Sequence, residues 1–207
     1  MPDGEPISDR EQRIAQARRA KALRRLIWVM GVVIVLGGGG YGLVRYSREY
    51  SGNLPGVFFE SQGQQHVALG TPFIYNSNPP VSGPHFSQPA NWGVYDYEVN
   101  DQIFIHNLEH GGIWIAYRPT VPPGGIEQLK AIVNEFSGAK IVMARRSAND
   151  TDVALAAWSR VSKFALTGDT LTPQQVGDIR RFYKALRDKG PEFVPGNMPG
   201  IDPKSIP

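Results

Sequence analysis

The sequence predicts an α+β domain, a mainly antiparallel sheet with helices on one side, preceded by a single N-terminal transmembrane helix. Three observations lead there. Residues 26–44, LIWVMGVVIVLGGGGYGLV, form an uncharged apolar run. Two short β-rich apolar runs, 102–105 and 113–117, flank a turn-forming segment. Helical periodicity then governs 125–136 and the stretch after Thr172. With 207 residues, 41% hydrophobic and 20% charged, the composition is that of a globular chain and excludes disorder throughout. The absence of cysteine excludes disulfides, thiolate metal sites, iron–sulfur clusters and cysteine nucleophiles. The net charge of +3 sits at one end: residues 1–25 hold seven Lys/Arg and four Asp/Glu, 26–44 none, and 45–207 fifteen of each sign. A body without net charge gives no electrostatic case for a nucleic-acid partner.

Along the chain, residues 1–25 read as a cytoplasmic basic arm. Ser8 and Glu11 fit a capping box that would start a helix there. Residues 26–44 are the transmembrane helix: nineteen residues at about 1.5 Å each give roughly 28 Å, close to the ~30 Å hydrocarbon core. A cleaved signal peptide is the rival reading. The arm is long for one, the run exceeds a signal's apolar region, and no A-x-A site follows. Seven Lys/Arg before the span against Arg45 and Arg48 just after it put the N-terminus in the cytoplasm and the body outside the cell membrane. Trp28 and Tyr46 suit the two interfaces. The expected partners are membrane lipid along 26–44 and a membrane protein approaching the small residues Gly37 to Gly40.

Residues 45–56 read as a linker, and 57–207 as one extracytoplasmic α+β domain ending in an extended Pro-rich tail. Pro79, Pro80 and Pro84 exclude regular helix from 75–85. Residues 102–117 read as strand, loop, strand. From Gly125, the positions Ile126, Leu129, Ile132, Val133 and Phe136 share one helical face. Residues 140–144 read as a short strand; the alanines of 153–165 allow helix, but the Asn149-Asp150 turn and the β-branched residues favour a strand returning as a hairpin. Thr172-Pro-Gln-Gln175 opens a last helix that stops near Gly190-Pro191.

The four histidines, His66, His85, His106 and His110, all fall within one loop-rich stretch, and the 97 residues that follow have none. Neutral imidazole is a common metal ligand, so this clustering suggests a metal site. The plainer alternative is histidines hydrogen-bonded around a proline-rich loop. His106-Asn-Leu-Glu-His110 matches the H-x-x-E-H string of inverzincins, in which a helix presents two ligands and a general base. Gly111-Gly112 and the strand character of Ile103-Phe-Ile argue against a helix here. Across a turn, His106 and His110 would still converge, with Glu109 orienting an imidazole, binding metal, or acting as catalytic base in a hydrolase. Ser82 lacks a nucleophile elbow, and Asp96, Glu98 and Asp101 read as turn carboxylates. No phosphate-binding glycine loop is present.

Three strings carry a resemblance: Asn78-Pro-Pro-Val-Ser-Gly-Pro-His85, Ala90-Asn-Trp-Gly-Val-Tyr95, and His106-Asn-Leu-Glu-His-Gly-Gly112 with Tyr117-Arg-Pro119. Together they resemble a bacterial family of membrane-anchored proteins, domain of unknown function 3105, over roughly residues 60–195. Val81 stands where the family string has Thr. The resemblance brings no activity, but it implies that His85, His106, Glu109 and His110 act together. Imidazoles without thiolates suit copper or zinc. Met143 and Met198 are candidate soft ligands for Cu(I), with core packing the alternative for each. The reading is an extracytoplasmic, membrane-anchored domain that binds a transition metal through His66, His85, His106 and His110, with copper handling as the expected role. A metal-dependent hydrolase using Glu109 and a non-enzymatic accessory subunit of an envelope complex are the alternatives, so whether it is an enzyme stays open.

Overall fold

The structure, a computed structural model, describes residues 9–206. The chain divides into two compact units at Asn53/Leu54. In the first, a single helix, α1 (Asp9–Gly52), runs through the predicted arm, the apolar run and most of the predicted linker. Its segment Lys21–Gly42 is long and apolar enough to cross a bilayer, with a mean hydropathy of 1.6, and its side chains are exposed. A membrane span and a signal sequence both meet that description. The expected capping box at Ser8 lies outside the described residues.

The second unit is α+β. Its main sheet has six strands, β1 (Val57–Phe58), β4 (Gly93–Val94), β5 (Ile113–Tyr117), β6 (Ile141–Arg145), β7 (Val153–Ala157) and β8 (Arg160–Phe164), in the order β1-β8-β7-β5-β6-β4. The β1–β8, β8–β7 and β7–β5 pairings are antiparallel, whereas β5–β6 and β6–β4 are parallel. Strand β6 does not form the expected hairpin with the following segment. Helix α3 (Pro123–Glu135) carries the chain back over the sheet, so β6 lies parallel to β5 in a βαβ unit. The hairpin is instead β7–β8, folded within 153–165. A second, two-stranded parallel sheet pairs β2 (His66–Val67) with β3 (His85–Phe86). Helix α4 (Pro173–Leu186) opens with the predicted capping box, the Thr172 hydroxyl accepting from Gln175 N–H and the Gln175 amide oxygen accepting from Thr172 N–H.

Strands β5 and β7 are buried at every position because both faces of the sheet are covered. On one face Ile113, Ile115, Ile141, Met143 and Leu155 pack against Leu129, Ile132 and Val133 of α3 and Ile179 and Phe182 of α4. These two helices on one side are the predicted arrangement. The other face carries Ala116, Ala144, Ala154 and Ala156, with Trp114. Small residues there leave room for a further helix, α2 (Asp101–Glu109), whose Ile103, Phe104 and Leu108 fill the space.

Helix α2 corrects the strand–loop expectation for 102–110. Asn100 caps it, its side chain accepting from Gln102 N–H at 2.9 Å, and Asp101 complements the helix start. Gly111 and Gly112 end the helix rather than forbid it. Gly111, at φ 76°, donates to Leu108 O and Gly112 donates to Asn107 O, the two bonds of a Schellman motif. A three-residue apolar run cannot by itself distinguish strand from buried helix, and here the caps decide.

Candidate metal centre

Two elements and their termini build the site. In the small sheet, His66 and His85 are direct register partners, which sets their rings 5.0 Å apart. His106 and Glu109 of α2 and its C-cap residue His110 follow i, i+3, i+4 spacing and share a face. Asn107 locks the two together: its side chain accepts from Ala90 N–H at 2.9 Å and donates to Ala90 O at 2.8 Å, holding the segment after β3 against the helix.

Around Glu109 Oε2 stand three imidazole nitrogens: His85 Nε2 at 3.0 Å, His66 Nε2 at 3.5 Å and His106 Nε2 at 4.0 Å. One donor atom from each of these four residues lies within 4.8 Å of every other, a spacing that can hold a metal ion. His85, His106 and Glu109 are buried, and His66 closes the exposed edge. A second group, His106, His110 and Glu192, adjoins the first. Here His106 Nε2 and His110 Nε2 are 3.1 Å apart and His110 Nε2 is 3.3 Å from Glu192 Oε2. The structure therefore brings His66, His85, His106 and Glu109 into one group and sets His110 in the neighbouring one.

Backbone carbonyls fix the ring tautomers. His85 Nδ1 lies 2.7 Å from Gly83 O, and His106 Nδ1 lies 2.8 Å from Phe86 O. A carbonyl only accepts, so each Nδ1 carries the proton and each neutral ring turns a bare Nε2 lone pair inward. Metal-binding histidines use this same carbonyl support. For His85 the consequence is sharp: a bare nitrogen and a carboxylate oxygen at 3.0 Å repel unless a proton or a cation lies between them. The Nε2 pair of His106 and His110 resolves differently, with His110 Nε2–H donating to His106 Nε2.

Burial pushes the His106 imidazole down to about 4, outweighing the Phe86 carbonyl that favours its proton. His110 is also lowered, chiefly by burial. Burial alone would raise Glu109, but the imidazoles of His85, His106 and His66 around it hold it below the usual range. All three shifts have the same sign for stability. An unfolded His106 takes its proton below about 6.5, the folded one only below about 4. Between those values the unfolded chain binds more protons, so this stability is full above pH 6.5 and is lost as pH falls towards 4. Glu109 adds a loss below its ordinary value of 4.5. Urea unfolding of the metal-free 54–207 unit is expected to show a lower midpoint at about pH 5 than at about pH 7.5.

Glu192 went unnoticed in the sequence, because a lone carboxylate in a Gly/Pro-rich tail has no diagnostic spacing. Its position follows from a close crossing: Gly190 packs against Glu109 O and Gly111 N so tightly that no side chain fits, and Glu192 N–H donates to Glu109 O at 3.1 Å. Met143 is fully buried on the α3–α4 face of the sheet, which removes it as a soft ligand. Met198 is 57% exposed in the tail. The remaining candidates are structural. Ser82 Oγ accepts from Gln62 N–H, Glu98 accepts from Ser147, and Asp101 pairs with buried Arg146.

Fold and site thus define an α+β domain with a buried histidine–carboxylate group of a kind that can hold a metal ion. The family model described as "Protein of unknown function (DUF3105)" matches residues 66–196, more than half of the chain, and the protein belongs to that family. No curated protein and no solved structure matches the chain.

Proposed function

We propose that this protein is a single-pass membrane-anchored domain, N-terminus in the cytoplasm and body outside, that binds a transition metal, copper or zinc, through His66, His85, His106 and Glu109. One observation carries the reading: His85, its Nδ1 held by a backbone carbonyl, sets Nε2 3.0 Å from Glu109 Oε2, and the Nε2 atoms of His66 and of the likewise carbonyl-held His106 lie 3.5 and 4.0 Å from the same oxygen. Without a cation that arrangement needs a buried imidazolium–carboxylate pair. Three nitrogens and one oxygen, with no sulfur, suit Cu(II) or Zn(II). The basic arm and the uncharged run support the anchor and its orientation, with bilayer lipid as the partner along 26–44.

A metal-dependent hydrolase with Glu109 as general base is the second reading, favoured by the finding that H-x-x-E-H lies on a helix. Against it, Glu109 Oε2 sits among the ligand nitrogens rather than across a water from them.

The test is metal analysis of the full-length chain, purified in detergent, stripped with chelator and reloaded with Cu(II) or Zn(II). About one equivalent is expected to survive gel filtration, and less than about 0.2 equivalents of either metal would overturn the reading.

A further inference from the structure

The two donor groups meet at a single atom. His106 belongs both to the set with His66, His85 and Glu109 and to the set with His110 and Glu192, and it faces each through Nε2, 4.0 Å from Glu109 Oε2 and 3.1 Å from His110 Nε2. Its other nitrogen is engaged by Phe86 O at 2.8 Å, so His106 offers one lone pair, and one lone pair holds one ion. Two ions cannot both be completed at once.

Nor do the two sets merge into one position. With metal–ligand bonds of about 2.0–2.1 Å, two donors on one ion lie no more than about 4.2 Å apart. The inner contacts of Glu109 Oε2, at 3.0 to 4.0 Å, satisfy this. So do the outer ones, 3.1 Å for His106–His110 and 3.3 Å for His110–Glu192. His110 groups with His106 and Glu192 and not with the inner four.

The two sets differ in access. Side chains of Glu192 and His110 are 54% and 11% exposed, whereas in the inner set His85 and Glu109 are 0% and 5% exposed and only His66, at 47%, reaches solvent. The outer set is also built rather than accidental: the Gly190 crossing and the Glu192 N–H bond to Glu109 O hold the tail carboxylate beside His110.

We propose that one ion uses these two positions in turn, entering at His106, His110 and Glu192 and settling at His66, His85, His106 and Glu109, with His106 bound throughout. This rests on the metal-binding reading above. The transfer is ligand exchange. Bonds to His110 and Glu192 break, bonds to His85, His66 and Glu109 form, and the ion keeps its oxidation state. The Nε2 proton of His110 leaves to solvent, or is replaced by one on Nδ1, when the ion arrives, and Nε2 is protonated again once the ion has moved inward. Glu192 and His110 therefore govern the rate of loading, while the inner four govern how tightly the ion is held.

The experiment uses the metal-free full-length chain in detergent, with Co2+ as a spectroscopic probe and Zn2+ as a competitor. The wild type is expected to bind one ion. Glu192→Gln and His110→Ala should each retain that ion and the wild-type Co2+ absorption spectrum, yet load at least ~10-fold more slowly in stopped flow. Glu192 is exposed, so its variant should keep the wild-type fold. Two ions per chain, a changed equilibrium spectrum in either variant, or unchanged loading rates would each overturn the proposal. Failure of the wild type to bind any metal would instead overturn the metal-binding reading itself.

Discussion

His85→Ala is expected to weaken metal binding by more than the ~10–100-fold that loss of an outer hydrogen-bond partner costs, because it removes a donor outright. His85 is fully buried, its Nε2 is 3.0 Å from Glu109 Oε2, and its Nδ1 is anchored on Gly83 O. No other described side chain is placed to substitute for it in the inner group. The fold should persist, at a cost of about 1–3 kcal/mol for the lost hydrogen bonds, so far-UV circular dichroism should stay close to wild type while isothermal titration with Zn(II) loses its tight phase. Glu109→Gln in the same titration separates the two functional readings. Weakened binding identifies the carboxylate as a ligand. Retained binding with loss of a hydrolytic activity in the wild type would identify a general base.

The largest loss of stability is expected from Phe104→Ala. Phe104 is fully buried between helix and sheet, its ring 5.1 Å from that of Trp114 and 5.5 Å from that of Tyr95. Removing a buried phenyl ring costs about 3–5 kcal/mol. For a unit of this size that lowers the thermal midpoint by roughly 6–20 °C. The helix it anchors carries His106, Glu109 and His110, so metal affinity should fall along with the melting temperature. An unchanged midpoint by calorimetry would mean that α2 does not depend on this contact.

Much of the fold can be read from the sequence where the signals are long. The apolar run of α1, the face of α3 built from Leu129, Ile132 and Val133, and the Thr172–Gln175 cap of α4 each extend over a turn or more, and all appear in the structure. Strands β1 to β4 have two residues each, too few for any alternation to register. Helix α2 has no periodic signal in the sequence, because Ile103-Phe-Ile is buried on every side and so lacks an amphipathic period. Asn100 and the Schellman glycines held the information that mattered. The clustering of histidines in sequence pointed to the site. What it could not supply was the pairing of His66 with His85 across a tiny parallel sheet, the carbonyls that set the tautomers, or the return of Glu192, more than eighty residues after His106.

That late return has a consequence for biosynthesis. The inner donors all lie between residues 66 and 109, but the strands that support α2 extend to Phe164, and the outer carboxylate arrives only with residue 192 of 207. Contacts of such wide sequence separation form slowly and only after the distant segments exist. A nascent chain thus exposes imidazoles long before it has a shaped cage for them, and the full donor arrangement assembles only after residue 192 has been made.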